Sequence, residues 1–220
     1  MQLSNGEPNY IIRENVAFDF PVFDCRWKKL AACADAVTFG TLAQRTPHAA
    51  TVIEEFLASC STKCIRLLDV NLRKEFWSAN LLDQSLRSAT AVKLSDEELP
   101  IVLKAIGGNG VAPIESLQYL VRRYHLKIAC LTRGSRGSIL LAPTPKGYDI
   151  AEHPGTRVPV TDTVGAGDAF SAVVLHHLLR KIDLTVASTA ANDYAAFVAT
   201  QKGGTPKVPH NISRHAIHGV

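Results

Sequence analysis

The sequence lacks the features that mark membrane-spanning, secreted or nucleic-acid-binding proteins. Its 220 residues contain no apolar run near the ~20 residues of a membrane span, and no basic segment followed by an apolar one at the start of the chain. The formal net charge is only +4, from 24 basic and 20 acidic residues, and no long basic run is present. We therefore expect a cytoplasmic protein that has neither a membrane nor a nucleic acid as partner.

Cysteine is present, but without a pattern that indicates a disulfide framework or a zinc site. The count is five, which is odd, and the spacings match no zinc-binding motif. Cys60 and Cys64 could share a helix face only if a helix continued between them. We expect reduced, mostly buried thiols, which pack as small hydrophobic groups and favour a reducing compartment. The five are Cys25, Cys33, Cys60, Cys64 and Cys130.

Apolar strands alternate with helical segments along most of the chain. Hydrophobic residues make up 46% and charged residues 20%, so a chain of this length can bury a sizeable core. Residues 10–20, rich in β-branched and aromatic types, predict one or two strands. Compact apolar runs predict buried strands over 36–40, 64–71, 90–95 and 127–132, and a hairpin over 138–142 and 148–152. Helices are predicted over 25–33, 47–59, 78–88, 95–106, 113–125, 165–180 and 183–200.

This alternation predicts an α/β fold in which a doubly wound, mostly parallel sheet is flanked by helices. Residues 1–220 are expected to form it as a single domain. Ligands of such sheets bind beyond the carboxyl ends of the strands. We therefore expect the functional site at the loops after Leu68, Leu94, Leu131 and Val160.

One segment carries chemistry that can be argued from its residues alone. Gly165, Ala166 and Gly167 have little or no side chain and lie where a loop becomes a helix, so their amides and the helix dipole predict an anion site. Asp168 follows in the first helical turn, where it could accept a proton from an attacking hydroxyl during phosphoryl transfer. The alternative is that Asp168 only complements the helix N-terminus and that the glycines serve a tight turn.

The sequence around this turn, DTVGAGDAF, resembles the C-terminal signature of the ribokinase-like (PfkB) carbohydrate kinases. The resemblance implies that Asp168 is the catalytic base and that the backbone of Gly165, Ala166 and Gly167 forms the anion hole. The segments VAFDF, ADAVTFGTLAQR, DVNLRKEFW and KLSDEEL look most like the fructokinase-like branch. The activity implied is the ATP-dependent phosphorylation of a small-molecule sugar at a hydroxyl group.

A second segment, at the end of a predicted strand, resembles the D-x-N-x-R motif of the same family. Its residues here are Asp69, Asn71 and Arg73, and the resemblance implies that they line the substrate and phosphate cleft. For two of them, a role without ligand contact stays open. Asp69 could be a structural residue at a strand end, and Arg73 could be a surface residue.

The next predicted strand ends in a segment that resembles K-x-N-x-x-E. Lys93 and Glu98 match it, which implies a place in the nucleotide site for Lys93, whereas Glu98 would help to place Mg²⁺ through phosphates or water. Ser95 stands where the motif has Asn and has no amide to donate. Glu98 also suits a capping box with Ser95, so a purely structural role stays open. The family's monovalent-cation site, for K⁺, would use Asp162 and carbonyl groups near 198–205.

Further nucleotide contacts are implied by the segment 132–137, which resembles T-x-G-x-x-G, and by two places where the family encloses adenine. A solvated turn residue is the alternative for Arg136. The implied nucleotide-binding residues are Thr132, Gly134, Arg136, Gly137, Asn192 and Gly203.

Part of the family pattern is absent from this sequence. The resemblance implies a Gly-rich first strand, a substrate-binding Asp and Asn, and lid strands, but only residues 1–15 resemble a remnant of the lid. A sheet edge exposed in this way favours pairing with another chain, so a homodimer is a further expectation.

Two alternatives to a fructokinase-type sugar kinase stay open. They are a catalytically impaired, nucleotide-binding fragment of such a kinase, and a kinase of the same family for a nucleoside or a sugar phosphate. A dinucleotide-dependent oxidoreductase is disfavoured, because GAGDAF is not G-x-G-x-x-G and comes late in the chain.

Overall fold

The computed structural model describes residues 2–4, 7–9, 12–110 and 112–218. Within them, six strands form one sheet, and β1 (Gln2–Ser4) and β2 (Glu7–Asn9) form a separate antiparallel pair. The strands of the main sheet are β3 (Ala36–Gly40), β4 (Ile65–Asp69), β5 (Ala91–Ser95), β6 (Ile128–Thr132), β7 (Ser138–Thr144) and β8 (Gly147–His153). The helices are α1 (Cys25–Cys33), α2 (Pro47–Ala58), α3 (Ala79–Ser88), α4 (Glu98–Ala105), α5 (Pro113–Tyr124), α6 (Ala166–Arg180), α7 (Leu184–Ala199) and α8 (His210–His218).

The main sheet has the order β3-β4-β5-β6-β7-β8, with β3 to β6 parallel and the β7–β8 hairpin antiparallel. Successive side chains of a strand point to opposite faces. Leu68 and Leu131 therefore pack in the cluster that includes α2 to α5, whereas Leu67 and Cys130 pack in the cluster formed with α6 to α8. Helices thus cover both faces, and the predicted α/β fold is confirmed.

Side-chain caps set where several helices begin. Asp24, Thr46, Ser78 and Asp183 each accept a backbone N–H in the first turn of α1, α2, α3 and α7, respectively. Pro47 occupies the first position of α2, where a missing N–H costs no hydrogen bond. All helices and strands predicted between residues 25 and 200 are confirmed as elements. The predicted burial of 36–40 is wrong, because β3 lies at the edge of the sheet and Phe39 is its one buried residue. The hairpin turn is tight, because β7 ends at Thr144 and β8 begins at Gly147.

The prediction of strands over 10–20 is wrong for the described part of that range. Residues 12–16 have no regular structure, and Ala17–Asp19 form a single 3₁₀ turn. Asn15 has a φ of 56°, in the left-handed region, which interrupts an extended chain. Residues 10–11 lie outside the described residues.

Contacts of Arg45 explain why this segment is not a strand. The Arg45 guanidinium pairs with the Asp19 carboxylate at 2.7 Å and lies over the rings of Phe18 and Phe76, 4.5 and 5.1 Å from their centroids. Asp19 also accepts the backbone N–H of Val16. The hydrogen bond from Arg45 lowers the pKa of Asp19. Side-chain bonds over a long sequence separation therefore replace the strand ladder that the local pattern predicts.

The cysteines are all free, but the expectation that most are buried is wrong. Cys64 and Cys130 are buried, Cys60 is half-buried, and Cys25 and Cys33 are exposed. Helix α2 ends before Cys60, so Cys60 and Cys64 do not share a helix face.

Helix α8 has no counterpart among the predicted elements. It packs through Ala216 against the cluster that contains α6 and α7. Its sequence, HNISRHAIH, has few apolar residues, so periodicity gives little indication of a helix. Among the helices in the described ranges, none combines the length and the apolar character that a membrane crossing needs.

Candidate functional site

The carboxyl ends of β4, β5 and β6 and the start of α6 meet at one edge of the sheet. Asp69 ends β4 in register with Lys93, and Ser95 ends β5 in register with Thr132 of β6. Gly167, in the first turn of α6, lies against this edge, because a Cβ there would be 3.0 Å from Lys93 Nζ. The fold therefore brings together site residues predicted from four separate stretches of sequence.

A cavity of about 610 Å³ lies beside the start of α6. This volume is in the range of small-molecule sites. The predicted site residues that line it are Thr132, Gly134, Gly137, Ala166, Gly167 and Asn192. Four other lining residues lie in or beside segments named in the sequence analysis, namely Ser135, Val160, Thr163 and Phe170. The remaining ones, which the sequence did not single out, are Thr156, Arg157, Val158, Ala195, Ala196 and Ala199. Many of these side chains are small or apolar, so the walls leave room for a flat, weakly polar group.

The turn before α6 is built around Gly165, whose φ of 83° is left-handed. A Cβ on Gly165 would lie 2.6 Å from the Cα and the carbonyl oxygen of Gly204, so only glycine fits without a backbone shift. The Gly165 carbonyl accepts the N–H of Ala169 at 2.8 Å, which starts the helical ladder. The amides of Gly167 and Asp168 belong to the first turn, where no intrahelical acceptor exists. The turn therefore leaves these two N–H groups available to an anion, whereas the Ala166 N–H, which the sequence analysis also assigned to the anion hole, donates to the Thr163 carbonyl at 3.2 Å.

The Asp168 side chain is exposed in this first turn. Within the part of the chain that the structure describes, its carboxylate makes no hydrogen bond and no ion pair. Its position is compatible with favourable interaction with the helix N-terminus and with proton transfer. An exposed carboxylate without a protein partner is free to contact a ligand.

Asp69 and Lys93 form a buried ion pair beneath the start of α6. Lys93 Nζ lies 3.0 and 3.1 Å from the two carboxylate oxygens of Asp69, and the two side chains are only 12% and 10% exposed. Ser171 Oγ lies 3.1 Å from the same carboxylate. Burial raises the pKa of Asp69, although Lys93 and Ser171 act in the opposite direction. Burial therefore disfavours the charged form of Asp69 more than Lys93 and Ser171 favour it.

The raised pKa of Asp69 predicts a pH-dependent effect of Asp69→Asn. A carboxyl group whose folded-state pKa lies above its unfolded value near 3.8 contributes stability at low pH that is lost as pH rises through the folded value. Asn does not titrate and resembles the protonated form. The Asn variant should therefore gain stability relative to wild type as pH rises above about 3.8, measured by urea unfolding.

Asp83→Asn supplies a control of opposite sign. Hydrogen bonds from Tyr124 and Arg87 lower the pKa of Asp83, so this carboxylate stabilises the fold above its unfolded pKa, and that stability is lost as pH falls. Because the folded-state pKa of Asp83 lies below 3.8, its Asn variant should lose stability relative to wild type as pH rises toward about 3.8, and the difference should stay constant above it. Equal pH dependence for the two variants would contradict our assignment for Asp69.

Glu98 joins the ends of two strands. Its two carboxylate oxygens accept the backbone N–H groups of Leu72 and Ser95 at 2.7 and 2.8 Å, and Ser95 Oγ accepts the N–H of Glu98 at 3.2 Å. The predicted capping box is confirmed. The bond to Leu72 also holds the loop after β4, in which Asn71 has a φ of 39° and both Asn71 and Arg73 are exposed.

The loop after β6 is held close to the end of β8. The Arg133 N–H donates to the Gly137 carbonyl at 2.7 Å, and a Cβ on Gly137 would collide with the His153 carbonyl and the Gly155 nitrogen. Arg136 is exposed and forms an ion pair with Asp96. The sequence did not single out Gly155, whose φ of 90° and contact with the Ser135 carbonyl also require glycine.

Asn192 lies at the cavity wall but is also bound to the protein. Its side-chain nitrogen donates to Ser138 Oγ and to the Ser188 carbonyl, both at 2.7 Å. Asp162 has a similar linking role, since its carboxylate accepts the N–H groups of Val164 at 3.0 Å and Gly203 at 3.1 Å. Asp162 therefore ties the turn before α6 to the loop after α7.

Metal ligands do not cluster in the described ranges, where no group of three or more His, Cys, Asp or Glu side chains is arranged to hold a metal ion. A divalent cation at this edge would therefore need oxygen ligands from a bound molecule or from water. Ser171, whose hydroxyl lies 3.1 Å from the Asp69 carboxylate, was also missed by the sequence analysis. It lies four residues after Gly167, which places both on the same helix face.

Comparisons with known proteins agree with this fold. The model for the pfkB family of carbohydrate kinases matches residues 10–211, and the chain therefore belongs to that family. It is 28% identical over 219 residues to an uncharacterized sugar kinase of Pyrococcus horikoshii, covering 95% of this chain and 64% of the relative. It is 31% identical over 153 residues to a fructokinase of Salmonella thompson, covering 64% of this chain and 65% of the relative.

Solved structures share the architecture. The structure of the Pyrococcus kinase superposes with a TM-score of 0.76 at 24% identity, over 94% of this chain and 65% of that one. Aminoimidazole riboside kinase from Salmonella enterica, solved with aminoimidazole riboside and an ATP analog, superposes with a TM-score of 0.66 at 26% identity, over 83% of this chain and 63% of that one. The chain thus spans less than two thirds of the length of each of these relatives.

Proposed function

We propose that this chain transfers the γ-phosphoryl group of ATP to a hydroxyl group of a sugar. The observation that carries the proposal is the meeting of three features at one place: the cavity, the first-turn amides of α6 and the exposed carboxylate of Asp168. A phosphoryl transferase needs a nucleotide site, donors for the transferred group and a base near the acceptor. Membership of the pfkB family supports the same chemistry.

The cavity is the nucleotide site in this proposal. The small side chains of Ala195, Ala196 and Ala199 leave space for the base, and Gly134 and Gly137 let the backbone approach the ligand closely. Thr132, Asn192 and Gly203 keep the nucleotide roles predicted for them, with Arg136 at the exposed edge. The phosphates would then extend toward Ala166 and Gly167, at the positive end of the α6 dipole.

Asp168 is the general base in this proposal. It takes the proton of the acceptor hydroxyl while the oxygen forms a bond to the γ-phosphorus, and the bond from that phosphorus to the β–γ bridging oxygen breaks. The amides of Gly165, Gly167 and Asp168 stabilise the charge on the transferred group, and the Ala166 N–H holds the turn by donating to the Thr163 carbonyl at 3.2 Å. Asn71 and Arg73, in the loop after β4, are assigned to the acceptor side of the cleft.

Mg²⁺ is the implied metal, and it would reduce the negative charge on the phosphates. Because no three acidic side chains converge in the described part of the chain, its ligands would come mainly from phosphate and water. Both oxygens of Glu98 already accept backbone N–H groups, which suits contact with the ion through water. A K⁺ site near Asp162, a homodimer and a cytoplasmic location stay predictions.

The test is a coupled assay of ADP release, with fructose, ribose, a nucleoside and fructose 6-phosphate as acceptors, combined with calorimetric titration of ATP. Acceptor-dependent ADP release with a sugar supports the proposal, and the acceptor preference identifies the substrate class. Turnover only with the nucleoside or the sugar phosphate would instead support a kinase of the same family for that acceptor. A chain that binds no ATP would contradict the proposal.

A nucleotide-binding protein without turnover is the second candidate. The favouring observation is that the cavity and the first-turn amides of α6 are sufficient to bind a nucleotide, whereas turnover also needs a site for the acceptor. ATP binding with no ADP release on any acceptor would support it. The free carboxylate of Asp168 favours the first candidate, because a protein that only binds nucleotide gains nothing from a negative charge beside phosphates.

A further inference from the structure

Ser171 is a buried residue of α6 that contacts two parts of the site at once. It is 4% exposed, and its hydroxyl oxygen lies 3.1 Å from an Asp69 carboxylate oxygen and 3.0 Å from the Gly167 carbonyl oxygen. Asp69 belongs to the end of β4. Gly167 belongs to the turn 165–168 that we propose binds phosphate, called the anion turn below. One hydroxyl group therefore connects the sheet with the helix start that presents the amides.

The Ser171 hydroxyl has one proton, so it can donate to only one of these two acceptors at a time. The Gly167 carbonyl already accepts the N–H of Ser171 in the regular i to i−4 pattern of the helix. A carboxylate is the stronger acceptor, so the hydroxyl donates to Asp69 when that group is ionised. When Asp69 is protonated, its own proton goes to Ser171, and Ser171 donates to the carbonyl. In both states a hydrogen bond joins Ser171, and with it α6, to Asp69, whereas the Gly167 carbonyl receives the hydroxyl proton only when Asp69 is protonated.

Lys93 extends these hydrogen bonds to the underside of the anion turn. Its ammonium group donates to both oxygens of Asp69 and lies directly beneath Gly167, 3.0 Å from the position that a Cβ there would occupy. A positive charge at this place adds to the potential of the helix N-terminus above it. Lys93 needs Asp69 to stay in this position, and Asp69 needs Ser171 to stay joined to α6.

We propose that Ser171, acting through Asp69 and Lys93, is a positioning residue that holds the first turn of α6 in the geometry that binds phosphate. The inference rests on the proposed function, since it assigns the turn to the phosphates of ATP. It adds a residue that touches neither the nucleotide nor the acceptor. It also gives Asp69 and Lys93 a common task beneath the site.

The experiment compares the affinities of the full chain for Mg·ATP and for adenosine, which lacks phosphates, by calorimetry. Ser171→Ala should weaken ATP binding roughly tenfold, the factor expected for one hydrogen bond to a charged group, and leave adenosine binding unchanged. Ser171→Thr keeps the hydroxyl and should keep the wild-type ratio of the two affinities. Ser171→Cys, a weak donor of similar size, should lower the ratio as Ala does and replaces it if the Ala variant does not fold.

Ser116→Ala is the matched control. Ser116 is also a buried helical serine, 2% exposed, whose hydroxyl donates to the carbonyl four residues earlier at 2.9 Å, but it lies in α5 and meets no carboxylate. It should change neither affinity. Ser171→Ala and Ser171→Cys variants that bind ATP as wild type does, or that lose ATP and adenosine binding equally, would overturn the inference alone. A wild-type chain that binds no ATP would overturn the proposed function and the inference together.

Discussion

Asp168→Asn should lower turnover about 10³-fold and leave ATP affinity unchanged or slightly higher. Asn has nearly the same shape as Asp but cannot accept the proton of an acceptor hydroxyl at neutral pH. The substitution also removes a negative charge from the first turn of α6, beside the place proposed for the phosphates, so binding has no reason to weaken. The measurements are the initial rate of ADP release at saturating acceptor and the calorimetric affinity for ATP.

A matched control for this variant is Asp149→Asn, which changes another exposed aspartate, in the β8 strand of the hairpin. It removes the same charge away from the cavity lining and should keep wild-type turnover. If Asp168→Asn keeps the wild-type rate while ATP is bound, Asp168 is not the base. Its position would then reflect only the favourable interaction of a carboxylate with a helix N-terminus.

Gly165→Ala should lower turnover roughly 100-fold and also reduce stability, because the anion turn can no longer keep its shape. The left-handed φ of 83° alone costs a non-glycine residue about 1–2 kcal/mol. The added Cβ would also lie 2.6 Å from the backbone of Gly204, so one of the two loops has to move. Thermal unfolding and the rate of ADP release measure the two effects separately.

Gly107→Ala separates backbone strain from displacement of the turn. Gly107 has a similar φ of 71°, but no atom lies within 4 Å of the position of an added Cβ, and the residue follows α4, outside the cavity lining. Its Ala variant should show the strain cost of about 1–2 kcal/mol and wild-type turnover. A Gly165 variant that is no less active than the Gly107 variant would mean that the contact with Gly204 does not shape the site.

Local patterns predicted most of the helices and strands, because burial in a layered α/β fold repeats with the period of each element. The strand 36–40 and the helix from Pro47 could be recognised from a few consecutive residues. The strand prediction over 10–20 was wrong because it also depended on the local pattern alone. The composition of this segment suits a strand, but the described part is shaped by the distant Arg45, which binds Asp19 and packs on Phe18.

The sequence likewise predicted one part of the candidate site and missed another. The turn before α6 was predictable because Gly165 and Asp168 lie within one short stretch of sequence. The role of Ser171 was not predictable, because it depends on contact with Asp69 across 102 positions of sequence. Gly155 was missed because only the neighbouring loop around Gly137 shows why its position excludes a side chain.

By itself, the sequence determined the order and type of the main elements, the glycine turn before α6 with Asp168 beside it, and the family, since these depend on residues close together in the chain. Only the tertiary structure decided which charged and polar side chains lie together beneath that turn. Burial of Asp69 against Lys93 and Ser171 follows from the register of β4 with β5 and from the packing of α6 on them. Periodicity predicts which face of a strand is buried, but only the packed fold decides which buried polar groups meet.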